Sequence, residues 1–190
     1  MAEVEAAVAA AGGWEAIELI AVGLGPGTFT GLRVGIATAR GLGASRGLPV
    51  RGVCTLDALA GGIGEAGAEG LRLPVLDGWR GEVFAALYEP GGERIWEPAV
   101  YRPEELAAQI AGLEHPPSIA GSGAVRFRQE LARDGVPIPD DSDPVHRVAA
   151  RHVCALAAVA GDEPDGLAPI YLRPPDAERW RERDASQRAR

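Results

Sequence analysis

Gly23-Leu-Gly-Pro-Gly-Thr-Phe-Thr-Gly-Leu-Arg-Val-Gly-Ile-Ala-Thr-Ala-Arg-Gly-Leu42 decides how the first half of this chain folds. The apolar run Leu19-Ile-Ala-Val22 precedes it, and no proline interrupts the sequence from Gly31 to Arg46. The pattern predicts a strand over Ile17 to Val22, a tight turn, and a helix over Gly31 to Arg46. Gly25 and Gly27 permit positive φ and close backbone approach, and Pro26 stiffens the turn. Thr28 or Thr30 carries a hydroxyl suited to capping the helix. The first helical N–H groups then point into the turn with a partial positive charge.

Such a loop is either a structural βα turn or an anion cradle. A Walker A loop needs Gly-Lys followed by Ser or Thr, whereas Gly31 is followed by Leu32 and Arg33. The dinucleotide fingerprint fails as well, because Thr28 occupies the place of its third glycine.

Outward from the loop, a helix is predicted over Glu3 to Ala11, a second strand over Pro49 to Cys54, and a short helix opened by Thr55. These are parallel-sheet units. From Leu73 the pattern changes to three strands, Leu73–Asp77, Glu82–Glu89 and Arg94–Tyr101. The turns Gly78-Trp-Arg-Gly81 and Pro90-Gly-Gly92 make them antiparallel. A helix near Pro103, a strand at Ser118–Ala120, a turn at Gly121-Ser-Gly123 and a helix to Arg133 follow. A long last helix is predicted from about Pro144 to Ala160. The chain thus divides into an α/β lobe over 1–70 and a second lobe over 71–190.

At 190 residues the chain is long enough to bury about 70% of its unfolded surface. No apolar run approaches the ~18 residues of a membrane span. Met1-Ala-Glu-Val-Glu lacks the basic start of a signal peptide, so a cytoplasmic location is expected. Cys54 and Cys154 form no Cys-x-x-Cys pattern and read as small core residues. The net charge of −8 and a pI near 4.9 argue against the chain gripping nucleic acid unaided. Only the Arg-rich tail from Glu178 to Arg190 departs from this, as a solvated terminus or as a nucleic-acid contact.

Catalytic groups are sparse. Of the three histidines, His146 and His152 are spaced to fall on opposite faces of the last helix, and neither has acidic ligands nearby, so no metal site is expected. Asp77, Arg80 and Glu82 read as a charged hairpin tip or as a gathered acid, cation and base. Ser122 and Thr28 sit in glycine turns with no His close in sequence. In the helix after the loop, Gly35, Gly41 and Gly43 each cost roughly 1 kcal/mol relative to Ala. Close packing offsets that loss, either on the protein's own sheet or against a partner helix.

Four ordered blocks resemble the TsaB (YeaZ) family. They are Gly25-Pro-Gly-Thr-Phe-Thr-Gly-Leu-Arg33, Leu48-Pro-Val-Arg-Gly-Val-Cys-Thr-Leu-Asp-Ala-Leu59, Leu76-Asp-Gly-Trp-Arg-Gly-Glu-Val-Phe84 and Pro169-Ile-Tyr-Leu-Arg173. The resemblance implies an actin-like ATPase (ribonuclease H-like) superfold whose two lobes each repeat βββαβα. A member would begin earlier, with an Ile-Asp-Thr-like strand, so the first lobe here is expected to lack its initial three strands. The exposed sheet edge would leave that lobe poorly soluble or loosely folded, and the loss of most of the first helix would leave it unable to bind its partner.

The resemblance also implies a function. The chain would be a non-catalytic scaffold subunit, with no cofactor, in threonylcarbamoylation of the adenosine next to the tRNA anticodon. It would pair with TsaD, the catalytic subunit, through its first two helices, with Gly31, Arg33, Val34, Gly35, Thr38 and Gly41 facing the partner. TsaE would join as an ATPase, tRNA would bind only through the complex, and the subunit alone could form a homodimer. The alternative is a glycoprotease-like peptidase or a nucleotide-dependent phosphotransferase of the same superfold. Against the latter, Trp79 and Arg80 fill the position of the small residues in an Asp-x-Gly-x-Gly phosphate loop.

Overall fold

The computed structural model describes residues 1–132, 136–160 and 167–173. The first half contains α1 (Ala2–Ala10), a 3₁₀ turn (Trp14–Ala16), β1 (Ile20–Gly25), α2 (Phe29–Arg46), β2 (Val50–Cys54) and α3 (Thr55–Glu65). β1 and β2 pair in parallel, with Ile20 opposite Val50 and Gly23 opposite Val53. A parallel pair needs a crossover, and α2 supplies it. The helix stops at Gly47, whose left-handed backbone (φ 65) returns its N–H to the Gly43 carbonyl. β1 starts three residues later than predicted. Its ladder begins where Ile20 N–H reaches the Pro49 carbonyl, at 3.0 Å, and continues to Gly25 opposite Cys54.

The second half forms one mixed sheet in the order β5-β4-β3-β6, from β3 (Arg72–Asp77), β4 (Val83–Tyr88), β5 (Arg94–Tyr101) and β6 (Ser118–Ala120). β3, β4 and β5 are antiparallel neighbours, and β6 runs parallel to β3. Every residue of β4 is buried, as a strand covered on both faces must be. α4 (Pro103–Ala111) opens with Pro at its first position and with Glu105 accepting a bond from the Arg102 N–H.

Two helix predictions need correction. The helix expected to run to Arg133 is two short pieces, α5 (Ser122–Arg126) and α6 (Arg128–Leu131), broken at Phe127 (φ −112, ψ 34); Arg133 itself lies outside the described residues. The last long helix is also divided. Pro144–His146 forms a 3₁₀ turn capped by the Asp143 carboxylate, Arg147 and Ala149 are extended, and α7 occupies only Ala150–Val159. His146 and His152 therefore sit on separate elements, not on opposite faces of one helix.

α3 binds the two halves. Its fully buried Leu56 joins Cys54, Ala60, Ala86 and Tyr88 in one apolar cluster that spans both. The larger core lies within the second half, around Leu73, Val75, Leu87 and Leu106. Burial on this scale is what holds the elements together.

Candidate partner-binding site

The glycine loop is filled by its own chain. Gly25 has φ 112, and a Cβ there would lie 2.9 Å from both the Ile170 carbonyl oxygen and Leu32 Cδ1. Ile170 in turn donates its N–H to the Leu24 carbonyl at 2.8 Å. Pro26, joined to Gly25 by a cis bond, is fully buried. Gly25 is thus a turn glycine packed under the strap 167–173, while Gly27 and Thr28 remain exposed. Thr28 holds the N-cap position without a side-chain cap bond, and Thr30 lies inside the helix and caps nothing. The Thr28 hydroxyl oxygen sits instead 2.6 Å from the place of a Gly31 Cβ.

α2 presents two faces. Ile36, Ala39 and Gly43 are buried against the sheet. Arg33, Val34 and Gly41 lie on the open side, with Val34 60% exposed and empty space around Gly41. The other three residues expected at a partner face are not all placed there. Gly35 is half-buried, with an ideal Cβ 3.9 Å from Val22, Thr38 is half-buried, and Gly31 is exposed beside Thr28.

At the start of the open face three side chains form a cluster that sequence spacing could not reveal. The Phe29 and Tyr171 rings stack with centroids 5.3 Å apart. Arg33 lies over Phe29, 3.8 Å from its centroid, and its Nε donates to the Tyr171 hydroxyl at 2.9 Å. Tyr171 belongs to the last block of family resemblance, yet it is remote in sequence from the helix it meets. Arg40, farther along α2, donates to the Leu167 carbonyl at 3.4 Å. The strap reaches the β3–β4 hairpin as well, through the ion pair of Arg173 with Glu82.

The candidate catalytic groups do not converge. Asp77 accepts from the Trp79 N–H and pairs with Arg126 at 2.7 Å, whereas Glu82 is taken by Arg173. Trp79 and Arg80 both adopt left-handed backbones (φ 62 and 57) at the hairpin tip. The fold does bring a histidine beside Ser122, because His146 Nδ1 accepts the N–H of Gly121 at 3.0 Å. Its Nε2 meets the Pro139 carbonyl at 3.2 Å, so both ring nitrogens are occupied by backbone. Ser122 Oγ accepts the Asp77 N–H. His152 packs over Gly61 and Gly62 beside Glu65.

A polar network joins the two halves elsewhere. Asp57 accepts from the Tyr88 hydroxyl at 2.6 Å and from the Arg94 guanidinium at 2.6 and 2.8 Å. Burial and then this bond to Asp57 push the Tyr88 phenol well above its ordinary range. Burial likewise raises the Cys54 thiol, with Asp57 adding to it, so Cys54 is held as the unreactive thiol. Cys54, Asp57 and Arg94 border a groove of about 730 Å³ along β2 and the end of α7.

Residues 1–139 match the family model described as TsaD, tRNA N6-adenosine threonylcarbamoyltransferase. The TsaB protein of Escherichia coli is 38% identical over 103 residues, which cover 50% of this chain and 45% of that protein. The chain belongs to the TsaB-like (YeaZ) family. YeaZ from Pseudomonas aeruginosa superposes on this TsaB-like chain with a TM-score of 0.68 and 28% identity, over 89% of this chain and 81% of that one. The fold is therefore the actin-like ATPase fold of the YeaZ structures. An uncharacterized protein of Mycobacterium leprae is 38% identical over 161 residues, 85% of this chain and 39% of the relative. The chain thus spans less than half the length of either of these two curated relatives. No helix among the described residues is long and apolar enough to cross a membrane.

Proposed function

We propose that this chain is a TsaB-type scaffold subunit of tRNA threonylcarbamoyladenosine biosynthesis, pairing in the cytoplasm with TsaD and recruiting TsaE and tRNA only through the complex. The reading is carried by the open side of α2, where Phe29, Val34 and Gly41 leave an apolar, thin helix face exposed among the described residues. Kinship with the Escherichia coli TsaB protein supports a place in tRNA threonylcarbamoyladenosine biosynthesis, and on this reading TsaD is the partner that the face receives. Catalysis belongs to the partner on this reading. The hairpin tip of Trp79 and Arg80 and the backbone-engaged His146 leave Asp77 and Ser122 without a free base or an open phosphate loop.

The test is co-purification and calorimetric titration of the full chain with TsaD, together with ATPase and peptidase assays of the chain alone. With β1 and β2 paired and Ile36, Ala39 and Gly43 of α2 buried, binding without turnover is the expected result here, in place of the failure to bind that the missing strands suggested from sequence. Turnover abolished by Asp77→Ala would instead establish an enzyme.

A further inference from the structure

α2 carries Arg33, Arg40 and Arg46 and no acidic residue, within a chain of net charge −8. None of the ion pairs among the described residues uses Arg33 or Arg40. Arg33 is nevertheless held in place. Its Nε is engaged by the Tyr171 hydroxyl and its guanidinium lies over the Phe29 ring, which Tyr171 flanks in turn. The Nη1–Nη2 end of the fork has no bond to any described residue.

Two coplanar N–H groups at that end match a carboxylate bidentately. A guanidinium already fixed by neighbours loses less freedom on binding than a mobile one. The two rings against it, Phe29 and Tyr171, are 42 and 39% exposed, and Val34 on the same open side of the helix is 60% exposed, so apolar surface accompanies the arginine. Arginine and aromatic residues in this arrangement are the usual anchors of protein interfaces.

We propose that Phe29, Arg33 and Tyr171 form a ready-made receptor for a carboxylate on an otherwise apolar helix face of the partner. Tyr171, contributed by the C-terminal strap, is a positioning residue that acts through Arg33. The inference rests on the pairing with TsaD and specifies the chemistry TsaD presents there.

The full chain, its Arg33→Ala, Arg33→Lys and Tyr171→Phe variants and the double variant Arg33→Ala/Tyr171→Phe are titrated with TsaD at low and high salt. Thermal melts verify folding. Arg33→Ala is expected to weaken binding about 10- to 100-fold and to flatten its salt dependence. Tyr171→Phe should weaken it about 3- to 10-fold, with no further loss in the double variant. Arg33→Lys keeps the salt dependence and loses affinity, since an ammonium lacks the fork. Wild-type affinity in Arg33→Ala, or losses that add in the double variant, would overturn the receptor and leave the pairing intact. A wild-type chain that does not bind TsaD would overturn both.

Discussion

Gly41 and Gly43 lie two residues apart on α2 and face opposite ways, so the same substitution should have opposite effects at the two. A Cβ at Gly41 meets nothing within 4 Å, whereas one at Gly43 would overlap Val50 Cγ2 and come within 3.0 Å of the Leu48 carbonyl oxygen. Gly41→Ala removes an interior helix glycine without steric cost and should stabilise the chain by about 0.5–1 kcal/mol. Gly43→Ala has the same propensity gain but crowds β2. That carbonyl is main chain and cannot rotate away, so overpacking of about 1–3 kcal/mol offsets the gain of about 0.5–1 kcal/mol and leaves a net loss of up to about 2.5 kcal/mol. For a chain of this size each kcal/mol moves the melting temperature by about 2–4 °C, and a calorimetric melt resolves the two variants in opposite directions. Gly41→Leu then separates stability from pairing. It should melt near the wild type yet bind TsaD about 5- to 100-fold more weakly. If Gly41→Leu destabilised the isolated chain as much as Gly43→Ala, the face would be covered by the protein itself and the reasoning would fail.

His146→Phe strips the Gly121 N–H of its partner, whereas the Pro139 carbonyl keeps its bond from Arg128, and urea unfolding should show a loss of about 1–3 kcal/mol; a change below about 0.5 kcal/mol would mean that the Gly121 N–H finds another acceptor. Glu65 is held below its ordinary 4.5 by its hydrogen bond from Arg151. A depressed carboxylate stabilises the fold above the unfolded value and ceases to do so as the pH falls through the folded one. The small stability gap between wild type and Glu65→Gln at pH 7 should therefore narrow as the pH falls from the ordinary carboxylate value through the lower folded one, and shrink in high salt. A gap unchanged at pH 3 would assign Glu65 a different role.

Much of the architecture could be read along the chain. β5 runs over Arg94–Tyr101 as predicted, because Pro90-Gly-Gly92 and Pro103 bound it on both sides. The βββ order of β3, β4 and β5 follows from the two glycine turns between them. β1 was misplaced because an apolar run reports burial, whereas a strand's ends are set by where its partner's carbonyls lie. The break between His146 and Ala150 was hidden for a similar reason. Helical periodicity continues through it, and the turn exists because His146 is drawn in to bond Gly121 and Pro139, remote segments with no local signal.

The candidate site shows the same division. Local sequence determined that a glycine turn leads into a thin, acid-free helix, since turn geometry, helix propensity and charge are properties of neighbouring residues. It also determined the family, through blocks of residues in a fixed order. Only the tertiary structure decided which glycines of α2 face the sheet and which face outward, that Ile170 fills the space over Gly25, and that Tyr171 meets Phe29 and Arg33. Those contacts join residues more than a hundred positions apart. Their energies depend on distance and angle after folding, and no spacing in the sequence encodes either.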